Sequence, residues 1–159
     1  RLFCLSGYSD KIYEIDPYTF KIIKQFTVSS DFTKVSESPV PINKQTEGKI
    51  EFLLSNNGQT QGAIGNLLYD KYRNLFYVFV YHSVNADAPE ERRRGNRPWS
   101  LITYNENFEK IGEQKMPALH FEMHLAVVCK EGLLISTNNS FNDSYERSKA
   151  KFALFKVSN

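Results

Sequence analysis

The chain has 159 residues, a net charge of +2 and 41% hydrophobic residues, a composition typical of one globular domain rather than of a disordered or fibrous protein. So small a charge gives no reason to expect a nucleic acid or a membrane surface as the partner. No apolar run approaches the roughly 20 residues that a membrane-spanning helix needs.

Short apolar runs, rich in Phe and Tyr and separated by turn residues, predict a chain made of β-strands. The predicted strands lie at 2–6, 11–15, 20–28, 63–69, 74–82, 100–104, 109–116, 124–129, 133–138 and 151–157. Only the stretch 47–57 leaves open a helical turn or an extra strand. We therefore predict an all-β fold.

The run 74–82 is apolar on both faces, which indicates a strand that is covered on two sides. One face carries Phe76, Val78, Val80 and His82, and the other carries Leu75, Tyr77, Phe79 and Tyr81.

Two turn patterns recur along the chain. YEIDPYTFKII resembles LITYNENFEKI, and YDKYRNLFYVFV resembles VVCKEGLLIST. Their alternation gives the order of a four-stranded antiparallel sheet, the blade of a β-propeller. About ten strands at this spacing also fit a sandwich or a barrel, but the repeated turn chemistry favours the propeller.

The predicted strands make about two and a half blades, with strand a innermost and strand d outermost in each. Residues 1–28 supply strands b, c and d, 29–62 form a long connection, 63–116 form a complete blade, and 117–159 supply strands a, b and c. A closed propeller needs at least about four blades. We expect an N-terminal part to supply the missing blades and the outer strand of the last one.

The stretches GNLLYDKYRNLFYVFV, LITYNENFEKIGEQKMP and EGLLISTNNSFNDSYERSKAKFALFKV resemble the C-terminal half of a family of uncharacterised bacterial proteins. Members of this domain-of-unknown-function family are TolB-like, six-bladed β-propellers that often carry a lipoprotein-type signal. The likeness covers roughly residues 60–159. It implies half of a six-bladed propeller in the periplasm or outer envelope of a Gram-negative bacterium, with the missing N-terminal half as partner.

The same resemblance places Asp70, Tyr72 and Arg73 in the family's turn, and Asn138 and Asn139 after its strand. The family has no established activity, so the resemblance assigns no catalytic residue and no cofactor.

In a propeller, the three long connections of this chain, 29–62, 83–99 and 139–150, all lie on one face, and the short turns lie on the other. Long loops on a rigid scaffold commonly carry function. We therefore predict a ligand-binding face there, formed by His82, Arg92, Arg94, Arg97, Trp99, His120, Asn138 and Asn139.

Each candidate has a structural alternative. The arginines and Trp99 either form an anion clamp or belong to a solvated loop, and the neighbouring Glu90 and Glu91 favour the solvated loop. Asn138 and Asn139 suit a hydroxyl-rich ligand such as a glycan, and they equally suit local turns.

The sequence offers little support for metal or nucleophile chemistry. His120 and His124 flank Glu122, but in a strand this spacing separates the rings by about 13 Å, so we predict no metal site. No serine or cysteine lies in a GxSxG context, and we predict that Cys4 and Cys129 are buried free thiols rather than a disulfide.

Three functions remain open. The sequence favours a non-enzymatic binding module that recognises a glycan, a peptide or a protein. The alternative is a hydrolase or lyase at the channel mouth that uses His82, His120 or arginines. The third is a scaffold for partner proteins without a small ligand.

Overall fold

The computed structural model describes residues 2–5, 9–35, 61–85 and 97–157. Within these ranges the chain forms ten β-strands and no helix, so no described helix crosses a membrane. The strands are β1 (Leu2–Leu5), β2 (Lys11–Ile15), β3 (Ile22–Thr27), β4 (Ala63–Asp70), β5 (Leu75–Tyr81), β6 (Trp99–Tyr104), β7 (Lys110–Met116), β8 (Glu122–Cys129), β9 (Gly132–Ser136) and β10 (Phe152–Phe155).

The strands pair in three separate antiparallel sheets, in the orders β1-β2-β3, β4-β5-β6-β7 and β10-β9-β8. Each strand pairs with its neighbour in the chain, so every sheet is a meander. All three sheets have open edges, and the described strands do not close into a barrel. The prediction of an all-β fold is confirmed.

All ten predicted strands are present, with ends that differ by at most two residues from the prediction. The third begins later because Phe20 adopts φ 55° in the preceding turn, where its N–H donates to the Asp16 carbonyl. The ninth ends earlier because the N–H of Asn138 turns to the Ser136 hydroxyl. The ambiguous stretch 47–57 lies outside the described residues.

Cys4 and Cys129 are free thiols, as predicted. The prediction of burial is wrong for Cys4, which is exposed on an edge strand, and Cys129 is only partly buried.

The second sheet lies between the other two, which pack on its two faces. Its strand β5 is buried at every position, as its two-sided apolar pattern predicted. Phe76, Val78 and Val80 pack in a cluster with Ile12 of the first sheet. Alternate residues, Tyr77, Phe79 and Tyr81, pack in a second cluster with Leu133 and Ile135 of the third sheet.

Corresponding strand ends of the second and third sheets lie side by side. At one end Gly65 of β4 approaches β8 so closely that a Cβ would lie 2.7 Å from the Met123 sulfur. At the other end Arg73 donates to the carbonyls of Cys129 and Lys130, at 3.3 and 2.5 Å. The short turns 71–74, 105–109 and 130–131 therefore form one end of these sheets, which we call the hairpin end.

The opposite end, which we call the long-connection end, contains residues 33–35, 61–62, 82–85, 97–98, 117–121 and 137–151. The segment that leaves the first sheet reaches it, since the Thr33 and Ser83 hydroxyls lie 3.1 Å apart and Val35 bridges to Gly62. Described residues of all three long connections thus lie at this end, whereas residues 29–32 of the first connection lie against β7.

Candidate functional site

Arg97 fastens the base of the connection between β5 and β6. It is 3% exposed, its Nε donates to the His82 carbonyl at 2.8 Å, and its Nη2 donates to the Gln61 carbonyl. The guanidinium also lies over the Tyr81 ring, 5.1 Å from its centroid. Burial lowers the pKa of Arg97 to about 10, so it remains charged at neutral pH. Its contacts are to the protein itself rather than to an open surface.

His82 is buried beside the same connection. It is 5% exposed, its Nε2 lies 2.6 Å from the Ser100 hydroxyl, and the Phe32 ring stacks on it at 6.0 Å. Burial lowers the pKa of His82 below its usual value, and the nearby Lys115 and Arg97 charges act in the same direction. The imidazole is therefore neutral at physiological pH.

Glu113 of β7 attaches the segment after β3 to the second sheet. Its side chain accepts hydrogen bonds from the Ser30 hydroxyl at 2.6 Å, the Asp31 N–H at 2.8 Å and the Lys110 ammonium at 2.6 Å. Burial raises the pKa of Glu113, but the hydrogen bonds from Lys110, Ser30 and Asp31 outweigh it, and the pKa is lowered. These contacts hold the segment in place.

The group of His82, Ser100 and Glu113 contains the residue types of a hydrolase, but its arrangement does not suit nucleophilic catalysis. Ser100 is fully buried, and the acid lies on the side of the serine instead of orienting the imidazole. Within the described ranges, no group of three or more His, Cys, Asp or Glu side chains can hold a metal ion.

The remaining sequence candidates of this region are dispersed. Trp99 is the first residue of β6 and is 2% exposed, with its ring 5.6 Å from that of Phe79, so neither ring face is open to a ligand. His120 lies at the surface beside Phe121. Arg92 and Arg94 lie outside the described residues.

Asn138 and Asn139 order the long connection of the third sheet. The Asn138 amide donates to the Glu146 and Lys149 carbonyls, at 2.9 and 2.7 Å, and accepts the Glu146 N–H at 3.0 Å. Asn139 is fully buried, donates to the Phe121 carbonyl at 3.2 Å and accepts the Phe141 N–H at 2.9 Å. Both amides hold the loop in shape, as local turn residues do.

Asn142 continues this scaffold. It donates to the Leu119 carbonyl at 3.2 Å, and its side-chain oxygen accepts the Ser144 N–H at 2.8 Å. The Tyr145 N–H donates to the Asn142 carbonyl at 2.9 Å. Three asparagines therefore fix a loop of which Tyr145 and Arg147 are exposed members.

A groove of about 420 Å³ lies between this loop and the start of β8. Its lining includes two half-open aromatic rings and several polar or charged groups, among them Tyr145, Phe152, Glu122, His124, Arg147, Lys149 and Ser140. Tyr145 is 42% exposed and Phe152 is 46% exposed. The groove can therefore stack a flat ligand and hydrogen-bond to it.

Sequence reasoning missed Tyr145 and Arg147 as site residues. The signal was the run NNSFNDSYER, in which turn-forming asparagines precede an aromatic and a basic residue. The asparagines attracted attention as ligand groups, whereas the residues they position are the exposed ones.

A second recess, of about 500 Å³, lies beside Asp10 and residues 27–35. The Asp10 Oδ1 atom has no hydrogen-bond partner among the described residues. That oxygen is also buried from solvent, so a ligand in the recess does not reach it. The groove of the third sheet is therefore the better candidate site.

At the hairpin end, the predicted family turn connects two sheets through the buried Asp70 and the partly buried Arg73. Asp70 is fully buried and accepts hydrogen bonds from the Tyr72 N–H at 2.9 Å, the Arg73 guanidinium at 2.9 Å and the Tyr77 hydroxyl at 3.1 Å. Burial and the Asp70 charge raise the pKa of Tyr77 to about 12. These residues join the second sheet to the turn at 130–131 and form no open site.

These features define an all-β protein of three antiparallel sheets with a polar groove at one end. A family model for DUF4221, a domain of unknown function, matches residues 2–115, and the chain belongs to this family. The match confirms a domain-of-unknown-function family. It begins and ends earlier in the chain than the predicted resemblance over roughly residues 60–159, and the two overlap at residues 60–115.

The crystal structure of a member of the DUF4221 family from Bacteroides vulgatus ATCC 8482, at 1.75 Å resolution, is similar to this chain, with a TM-score of 0.79 and 26% sequence identity. The similarity covers 99% of this chain and 42% of that one, so this chain spans less than half the length of that protein. A comparison with curated proteins found no match.

Proposed function

We propose that the chain is part of a six-bladed, TolB-like β-propeller that acts as a non-enzymatic binding module in the bacterial envelope. Three meander sheets packed face to face, with their short turns and long connections separated, support this architecture. The division into a partial blade, a long connection, a complete blade and a last blade of three strands follows from it.

The outer faces of the two terminal sheets support further blades on both sides. The first sheet exposes Leu2 and Ile22, which are 42% and 62% accessible, and the third exposes Val127 and Leu154. Leu125, at the long-connection end of the same outer face, lines the groove of the third sheet, so a further blade would border that groove. Apolar faces of this kind are buried when another sheet packs on them. The remaining length of a protein such as the structural relative supplies enough chain for those blades.

A groove beside β10 supports a fourth strand in the last blade. It has a volume of about 330 Å³ and lies between β7 and residues 155–157, with Tyr77, Leu101 and Thr103 in its wall. Among the described residues, the second sheet has four strands, whereas the third sheet has three and ends at the edge strand β10. A strand that pairs with β10 fills this groove and removes the open edge.

The binding role rests on one observation, the asparagine-ordered loop that borders the groove of the third sheet. Three side-chain amides fix a connection whose exposed Tyr145 and Arg147 line that groove. Ordering a loop before its ligand arrives reduces the entropy lost on binding. A glycan, a peptide or a protein is the proposed ligand.

Glycan and peptide arrays probed with the purified chain test the binding role. We expect a positive class of ligand whose signal falls at least about tenfold in the Tyr145→Ala variant, because Tyr145 offers its ring to the groove. Tyr72→Ala is the control, since Tyr72 is 46% exposed at the hairpin end. Blank arrays with a folded protein would favour a scaffold for partner proteins instead.

The envelope location and the lipoprotein anchor rest on the sequence resemblance alone. Fractionation of cells that carry the tagged full-length protein tests both, with recovery in the membrane fraction after labelling by a radioactive fatty acid as the expected result. Recovery with cytoplasmic proteins would contradict the location and would leave the binding role to the array experiment.

A further inference from the structure

We infer that the groove of the third sheet recognises an acidic sugar, with the Arg147 guanidinium binding its carboxylate. This inference rests on the proposed function, because it names the ligand class of the same groove. Its evidence is the charge balance of the loop, the geometry of the guanidinium and the position of the two aromatic rings.

The charge balance leaves one cation of the groove without a partner. Lys149 and Lys151 both pair with Glu146, at 2.6 and 2.5 Å, and these contacts lower the pKa of Glu146. Among the described residues Arg147 makes no hydrogen bond or ion pair, and it is exposed. Its guanidinium is therefore free to bind an anion from solution.

A guanidinium is suited to anions that present two oxygens side by side. Its planar fork donates two parallel N–H bonds to the two oxygens of a carboxylate, and it does the same with phosphate. Glu122 also lines the groove and repels a second negative charge. A ligand with a single charge on each sugar unit and many hydroxyl groups fits this mixture better than a densely charged phosphate ester.

The aromatic rings favour a sugar over an acidic peptide. Tyr145 and Phe152, which are 42% and 46% exposed, both line the groove. The C–H face of a sugar ring packs on an aromatic face, and Glu122 and Ser140 accept or donate hydrogen bonds to the hydroxyl groups. The groove volume of about 420 Å³ lies within the range of small-ligand sites.

The loop scaffold orders the backbone that carries Arg147. Asn138 holds the Glu146 N–H and the carbonyls of Glu146 and Lys149, the residues on both sides of Arg147. The Arg147 side chain therefore extends from a backbone that these hydrogen bonds already hold in place. A loop that is already ordered loses less conformational entropy when the guanidinium binds a carboxylate.

Isothermal titration of the full chain tests the inference. The probes are tetrasaccharides of galacturonate, mannuronate or glucuronate units, each paired with the same tetrasaccharide after reduction of its carboxyl groups to alcohols. We expect at least one acidic probe to bind about tenfold or more tightly than its reduced form. Arg147→Gln should remove that difference, and Arg147→Lys should restore part of it, because lysine keeps the charge without the fork.

The control variant is Lys24→Gln, which removes the same charge from an exposed position of β3. Its affinity for the acidic probe should equal that of the parent chain. Circular dichroism of the two Arg147 variants and of Lys24→Gln verifies that these exposed substitutions leave the fold intact.

Other outcomes separate the two proposals. Equal affinity for acidic and reduced probes, or a loss in Lys24→Gln as large as in Arg147→Gln, overturns the acidic-sugar inference and leaves the binding role standing. If an acidic peptide from the array binds more tightly than every sugar probe, the acidic sugar is the wrong ligand class and the binding role still stands. Absence of binding to every sugar probe overturns the inference, and blank glycan and peptide arrays overturn the binding role as well.

Discussion

At the hairpin end, Asp70 accepts the N–H groups of Tyr72 and Arg73 and thereby shapes the turn between β4 and β5. At the long-connection end, Asn138 accepts the N–H of Glu146 and shapes the loop before β10. The local chemistry is the same, a short polar side chain that caps backbone groups. The surroundings differ, because Asp70 is fully buried between two sheets and Asn138 lies at the surface of one.

Because of this difference, one side chain stabilises the packing of two sheets and the other positions exposed residues of a loop. The buried carboxylate also binds the Arg73 guanidinium and the Tyr77 hydroxyl, so the turn joins the second sheet to the third. The surface amide binds only backbone of its own loop and leaves the side chains of that loop exposed. We therefore expect changes at Asp70 to affect stability and changes at Asn138 to affect the groove.

The largest expected effect is that of Asp70→Ala. The substitution leaves the buried Tyr77 hydroxyl and a guanidinium without their carboxylate. We expect the free energy of unfolding to fall by about 3 kcal/mol, as measured by urea denaturation. Binding at the distant groove, measured in the protein that remains folded, should not change.

Asp16→Ala is the matched control for this prediction. Asp16 caps the turn between β2 and β3 with the same two backbone bonds, to Tyr18 and Thr19 at 2.8 Å, and these bonds lower its pKa. Among the described residues it has no guanidinium partner, and it is only partly buried, so the loss of stability should be much smaller. Equal losses in the two variants would mean that the turn bonds, rather than the tie between sheets, provide the stability.

A smaller effect is expected of Asn138→Ala, and it should appear in the loop rather than in global stability. Trypsin cleaves after Arg147 and Lys149, and the loop must open before it is cut. We expect cleavage there to accelerate by about tenfold, as followed by mass spectrometry. Ser148→Ala in the same loop is the control, and an equal acceleration in that variant would show that the amide does not hold the loop.

The smallest effect concerns the pH dependence at the long-connection end. Burial keeps the pKa of His82 below its usual 6.5 in the folded chain, so the unfolded chain binds the proton at a higher pH. The contribution of His82 to the free energy of unfolding is complete above the pKa of the unfolded chain, about 6.5. It is lost as the pH falls through that value towards the lower pKa of the folded chain. We expect the urea midpoint to fall between about pH 7 and about pH 5, and His82→Gln to reduce that fall.

The pH range of this loss distinguishes protonation of His82 from protonation of the nearby carboxylates. The pKa of Glu113 is already lowered from its usual 4.5, so its protonation contributes only at more acidic pH. A midpoint that falls by the same amount in His82→Gln as in the parent chain would assign the loss to other groups.

Much of the fold was predictable because strand patterns are local. The alternating apolar run 74–82 predicted a strand buried on two faces, and β5 separates Phe76 from Tyr77 into two cores as expected. The turn residues between strands predicted the meander order in the same way. Less of the site was predictable, since exposure and contacts between loops depend on elements that are distant in the chain.

Trp99 and Asn139 illustrate that limit. Both lie next to loops, and both looked like ligand groups from the sequence. The indole is instead covered by Phe79, and the amide reaches the Phe121 carbonyl 18 residues earlier in the chain. Neither partner is detectable from local composition.

The sequence by itself determined the strands, their order and the position of the long connections, because backbone alternation and turn propensity act over a few residues. Tertiary structure alone decided which polar residues are buried as ties and which are exposed around a groove. The physical reason is that burial and hydrogen-bond satisfaction are set by whatever packs across a sheet face, and that neighbour is rarely close in sequence.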